Sequence, residues 1–172
     1  MVLVVMGVSG AGKTTLGRAL AARLGFRFEE GDDWHDARSV EKMRQGEPLT
    51  DADREPWLAR LNQAIQRWAA AKEHVVLACS ALRHSYREAL GSGLADPTQL
   101  RFVFLDGSAA QVEPQLRART GHFMPVSLLR SQLEALEPPD PAEAIRIEVG
   151  TPIDRAVDAV IAAIQMELGT RD

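Results

Sequence analysis

Residues 7–14 read Gly-Val-Ser-Gly-Ala-Gly-Lys-Thr, and no other stretch restricts the fold of this chain as tightly. The pattern is G-x-x-x-x-G-K-T without a mismatch. It follows Val2–Met6 (VLVVM), a continuous apolar run of the kind buried on both faces of a parallel sheet. It leads into Lys13–Leu24, where Leu16, Ala19, Leu20 and Leu24 fall at helical spacing and Gly25 is a stop. Strand, glycine-rich turn and helix in that order make an anion cradle. Glycines let successive N–H groups converge on one point, and the helix turns its positive end to the same point. Lys13 is placed to reach terminal phosphates, and the Thr14 hydroxyl is a ligand for Mg²⁺.

The rest of the chain alternates strand and helix. Phe26–Glu29, Val75–Cys79, Arg101–Leu105 and Ile145–Val149 read as strands. Asp51–Ala71, Leu82–Leu90, Ala109–Arg119, Val126–Leu136 and Ile153–Leu168 read as helices. Thr50 is a candidate N-cap for the second helix, with Asp53 near the capping-box position. Alternation of this kind predicts an α/β fold: a doubly wound parallel sheet with helices on both faces. Ligands then bind beyond the carboxyl ends of the strands. With no internal repeat and no long linker, residues 1–172 are expected to form one domain.

Composition narrows the function. Twenty Lys and Arg against 24 Asp and Glu leave a net charge of −4, which disfavours a general nucleic-acid or membrane-surface binder. The single cysteine, Cys79, excludes an intrachain disulfide framework and a Cys-rich zinc site. No apolar run approaches the length of a spanning helix, and the N-terminus lacks the pattern of a signal peptide. The chain therefore reads as cytoplasmic and complete from Met1, with no nucleic-acid or membrane partner.

Candidate chemistry beyond the glycine loop sits after the strands. Glu30-Gly31-Asp32-Asp33-Trp34-His35 follows the second strand, across the phosphate site. A carboxylate there can take a hydroxyl proton during phosphoryl transfer, although a solvated acidic turn or a helix cap would look the same. Arg54, Arg83, Arg117 and Arg119 are candidate anion contacts, since the guanidinium fork matches carboxylate and phosphate. Arg117 and Arg119 precede Thr120–Phe123, read as part of a lid spanning about residues 117–137. Trp57, Trp68 and Cys79 read as packing. The loop by itself does not choose among kinases, switches, motors and regulators.

Longer passages carry a resemblance. Met6–Thr15 (MGVSGAGKTT), Glu30–His35 (EGDDWH), Glu41–Leu58 (EKMRQGEPLTDADREPWL), Cys79–Leu90 (CSALRHSYREAL), Gly121–Pro139 (GHFMPVSLLRSQLEALEPP) and the passage around Gly150–Pro152 occur in order. Together they resemble gluconokinases of the short P-loop type, relatives of shikimate kinase and the nucleoside monophosphate kinases. The resemblance implies ATP-dependent phosphorylation of D-gluconate on its terminal hydroxyl, assisted by Mg²⁺, by a cytoplasmic homodimer. It implies catalytic roles for Lys13, Asp32 and Arg119. Nucleotide contacts are implied for Gly7, Val8, Ser9, Gly10, Ala11, Gly12, Lys13, Thr14, Thr15, Arg117, Arg119 and Pro152. Sugar-acid contacts are implied for Asp32, His35, Lys42, Arg54, Arg83 and His122. Thr14 is the implied metal ligand, with Glu30 acting through water.

Three positions depart from the family pattern. Glu30 stands where Asp is usual. Asp36 and Ser39 replace a common Pro and Asn. Gln115 replaces the first of two lid arginines. Two other readings compete: a kinase for another hydroxy or sugar acid, and a nucleotide-binding switch with little turnover.

Overall fold

A computed structural model of the chain describes residues 1–118 and 127–169. Five parallel strands form the sheet: β1 (Val2–Met6), β2 (Arg27–Glu30), β3 (Val75–Ala78), β4 (Leu100–Asp106) and β5 (Ala144–Glu148). Their order is β2-β3-β1-β4-β5. Every pairing is parallel, with Val4 opposite Leu77 on one side and Phe102 on the other. All five residues of β1 are fully buried, as its unbroken apolar run predicts.

Among the described residues, seven α-helices connect and cover the strands: α1 (Lys13–Leu24), α2 (Ala37–Arg44), α3 (Asp51–Ala70), α4 (His84–Gly91), α5 (Ala109–Ala118), α6 (Ser127–Ala135) and α7 (Ile153–Gly169). Alternation along β1 splits the core. Leu3 and Val5 pack with Leu16 and Leu20 of α1, Val112 and Leu116 of α5, and Val157 and Val160 of α7. Val2 and Val4 face the opposite layer, with Trp57, Leu61 and Ile65 of α3 and Leu90 of α4. A smaller apolar cluster of Met43, Leu49 and Leu128 joins α2 to α6.

After β1 the chain leaves toward β2, and after β4 toward β5. The divergence opens a crevice at the carboxyl ends of these two neighbours, and the 7–14 loop occupies it. Gly12 caps α1 with φ of +101°, a backbone conformation that a side chain would strain.

The expected elements form, within one to two residues at most ends. The eight-residue α2 is additional. Its segment, ARSVEKMR, buries only Ser39 and Met43 and carries no apolar stripe, so periodicity does not reveal it. The residues that depart from the family pattern build its start: the Asp36 carboxylate accepts from the Ser39 N–H at 2.7 Å. Helix α3 begins as expected, with Thr50 and Asp53 in a reciprocal capping box.

Candidate active site

The loop after β1 is held from several sides. The Gly7 N–H donates to the Ser80 carbonyl at 3.2 Å, tying the loop to the segment after β3. Lys13 folds back and donates to the Val8 carbonyl at 3.0 Å. The Ser9 N–H donates to the Gln132 side-chain oxygen at 2.6 Å, bringing α6 onto the loop.

Thr14, in the first turn of α1, donates its hydroxyl to Glu30 at 2.8 Å. Burial raises the Glu30 pKa above its ordinary 4.5, and the Thr14 hydrogen bond opposes the rise. The hydroxyl is a hard oxygen donor that suits Mg²⁺, and the carboxylate suits a water molecule on that ion. Among the described residues, no group of three or more His, Cys, Asp and Glu is arranged to hold a metal by itself. The pair therefore fits a cation shared with bound phosphates.

Beside the loop lies a cleft whose walls come from well-separated parts of the chain, Met43, Leu49, Ser80 and Leu82 among them. Ser9 and Lys13 form one side. Asp32 and His35 come from the short 3₁₀ turn Gly31–Trp34 and the residue after it. Arg54 and Trp57 project from the start of α3, and Ser131 and Gln132 from α6. Gly31 seats the acidic turn against β3: a Cβ there would stand 2.5 Å from the Ala78 carbonyl oxygen. Trp57 anchors the same turn by donating its indole N–H to the Gly31 carbonyl at 2.8 Å. The tryptophan read as packing is 2% exposed and also walls the cleft.

His35 stacks on Trp57, and burial lowers its pKa below the ordinary 6.5, leaving a neutral imidazole. Its Nδ1 is enclosed with no hydrogen-bond partner among the described residues. Arg54 donates to the Leu49 carbonyl at 2.6 Å and lies 3.4 Å from the Tyr86 hydroxyl. Tyr86 donates in turn to Asp51 at 2.5 Å, and that bond, with Arg83 and Arg54 nearby, lowers the Asp51 pKa.

Not every expected residue joins the cleft. Arg83 does not line it; as the residue capping α4 it pairs with Asp51 at 2.8 Å. Lys42 is also outside the lining and binds both Asp53 oxygens at 2.9 Å, bracing α2 against the cap of α3. Arg117 is exposed and pairs with Glu113 one turn earlier in α5. Arg119 and His122, with the Thr120–Phe123 part of the expected lid, lie outside the described residues. Cys79 is buried in packing, which pushes its thiol pKa up to about 12 and leaves it unreactive.

A second cleft adjoins the other side of the loop, lined by Gly12, Thr15 and Gln115 and by Gly150 and Thr151 of the β5–α7 connection. Pro152 directly follows that wall. Gln115 thus stands at the cleft margin where the family pattern has a cation. Sequence reasoning gave no role to Tyr86, Ser131 or Gln132. All three are contained in passages that carried the resemblance, but only the placement of α4 and α6 singles them out.

An anion-binding loop at a sheet switch point, flanked by one cleft on each side, defines a P-loop kinase of the small-molecule type. The AAA domain family profile matches residues 2–139. A gluconokinase of Gluconobacter oxydans is 47% identical over 166 residues, covering 96% of this chain and 92% of that protein. The crystal structure of a gluconokinase from Sinorhizobium meliloti is 43% identical with a TM-score of 0.83, covering 95% and 91%. A shikimate kinase structure from Bacteroides thetaiotaomicron shares the fold at 21% identity and a TM-score of 0.68, covering 96% and 98%. The chain belongs to the gluconokinase family.

Proposed function

We infer that the chain transfers the γ-phosphoryl group of ATP to the terminal hydroxyl of D-gluconate, giving 6-phospho-D-gluconate and feeding sugar-acid catabolism. The observation that carries this reading is the convergence of Lys13, Asp32 and Arg54 on one cleft. Gluconate has a carboxylate at one end and a primary hydroxyl at the other, so its site needs a cationic fork and a proton acceptor.

In this reading Arg54 engages the substrate carboxylate, and Trp57 and His35 supply a wall for the carbon chain. Asp32 accepts the proton of the terminal hydroxyl as its oxygen bonds to the γ-phosphorus. The bond from that phosphorus to the bridging oxygen breaks, and ADP leaves. Lys13 neutralises charge on the transferred group. When bound, Mg²⁺ supplies further neutralisation of the phosphates, and Thr14 and, through water, Glu30 are the residues that would hold it. The second cleft takes the adenosine end against Gly150–Pro152. Arg119 and His122 keep the roles implied by the family resemblance, as lid cation and sugar-acid contact.

The same resemblance supports a cytoplasmic homodimer and a single kinase domain over residues 1–172. Among the described residues no helix is long and apolar enough to cross a membrane.

A coupled assay with ATP and Mg²⁺ against D-gluconate, other aldonates, glucose, shikimate and nucleoside monophosphates tests the reading. Selective turnover of D-gluconate is the expected result. Preference for another acceptor overturns the substrate, and ATP binding without transfer to any acceptor overturns the kinase.

A further inference from the structure

Helix α6 touches both halves of the reaction site through one face. Leu128 and Gln132 are four residues apart and so stand one turn apart on the same side of the helix. Leu128 is 4% exposed and packs on Met43 and Leu49, which line the cleft assigned to the sugar acid. Gln132 reaches the phosphate loop, where its Oε1 accepts the Ser9 N–H at 2.6 Å from 123 positions away. Leu129, between them, is anchored in the core beside Val112 and Leu116 of α5.

The chemistry of this bond is directional. Ser9 is 5% exposed, and its N–H can only donate. The carboxamide must therefore turn its oxygen to the loop, and its remaining polar edge is a pair of N–H donors.

We propose that Gln132 is a positioning residue for phosphoryl transfer, holding the Ser9 apex of the phosphate loop in register with the acceptor cleft. The docking of α6 on Met43 and Leu49 is thereby transmitted to the loop. A loop apex out of register loses rate in the chemical step, because small displacements of a reacting centre are costly. The inference rests on the assignment of the cleft to the phosphate acceptor.

The test compares Gln132→Met, which keeps the length and removes the acceptor, with Gln132→Glu, which keeps an oxygen for Ser9. Amide exchange at Ser9, thermal unfolding and full kinetics are measured on the complete chain. In Gln132→Met the Ser9 amide should exchange at least about tenfold faster, as expected for an N–H stripped of its acceptor. Its kcat should fall at least about tenfold, with the KM for gluconate within about threefold; Tm should drop by about 2–10 °C for the buried N–H left without its acceptor, with kinetics measured where both proteins are fully folded. Gln132→Glu should restore slow exchange at Ser9, and its added negative charge should raise the KM for ATP. Unchanged exchange or unchanged kcat in Gln132→Met overturns the proposal, as does a loss of rate that merely tracks a fall in Tm. If the parent chain fails to phosphorylate gluconate, the functional reading fails, and Ser9 exchange still reports whether Gln132 holds the loop.

Discussion

The imidazole of His35 lies flat on the indole of Trp57, with ring centres 4.4 Å apart and planes 12° from parallel. This stack closes one wall of the cleft and shields His35 from water. Burial holds the His35 pKa below 6.5, so in the interval beneath 6.5 the unfolded chain binds a proton that the folded chain refuses. That contribution makes stability fall as pH drops through this window. Glu30, with a raised pKa, contributes with the opposite sign above its ordinary 4.5. The parent is therefore expected to lose more stability than His35→Gln between pH 7.5 and 5.5 in urea titrations. Equal losses in the two proteins would remove His35 from the account.

Trp57 serves the fold and the cleft together. Trp57→Phe keeps a ring under His35 but leaves the Gly31 carbonyl without its 2.8 Å donor. Loss of a buried partner costs about 1–3 kcal/mol, measurable by denaturant unfolding. Because Gly31 begins the turn bearing Asp32, kcat should fall as well. A variant as stable and as active as the parent would show that the bond is dispensable.

Lys13 and Asp32 separate binding from chemistry. Lys13→Ala is expected to abolish phosphoryl transfer while the circular dichroism of the fold persists. Asp32→Asn should lower kcat about 10²-fold or more, with nucleotide affinity little changed. Near-normal turnover in Asp32→Asn would assign proton acceptance to another group.

The two arginines expected at the sugar acid should behave differently. Arg54 lines the cleft, whereas Arg83 stands outside the lining with a guanidinium nitrogen on Asp51. Arg54→Lys discards the planar fork and should raise the KM for gluconate about tenfold, the scale of one charge-assisted bond. Arg83→Lys should change it much less. Steady-state kinetics on both variants decide the point, and a larger effect at Arg83 would reverse the assignment.

Arg87 is a structural counterpart. It is 3% exposed, binds Glu143 at 2.6 and 3.2 Å, and donates to the Ala81, Leu82 and Glu137 carbonyls. It thus fastens the segment after α6 to the turn before α4. Arg87→Ala should cost about 3 kcal/mol, toward the low end for a broken buried pair because Glu143 keeps some contact with water. The bond to Arg87 also lowers the Glu143 pKa, so its contribution is present above 4.5 and lost as pH falls through the depressed value. Urea titrations at pH 7 and pH 3.5 should show the difference between parent and variant shrinking at the lower pH.

The β1–loop–α1 unit was legible from its residues alone because its requirements are local. A buried strand, left-handed glycines and a helix start follow from consecutive side chains and backbone angles. The capping box at Thr50 and Asp53 was legible for the same reason. The polar, eight-residue α2 was not: a short helix fixed by the Asp36 cap and by Met43 against Leu49 and Leu128 leaves no periodic trace.

Sequence by itself determined the alternation of strands and helices, the anion-binding loop and the family pattern, since each is written in contiguous residues. Only the tertiary structure decided that Arg54 rather than Arg83 lines the cleft, that Trp57 both packs and walls it, and that Gln132 meets Ser9. Those relationships join residues tens to more than a hundred positions apart. They depend on where α3, α4 and α6 settle against the sheet, and that placement follows from the packing of whole faces rather than from any local pattern.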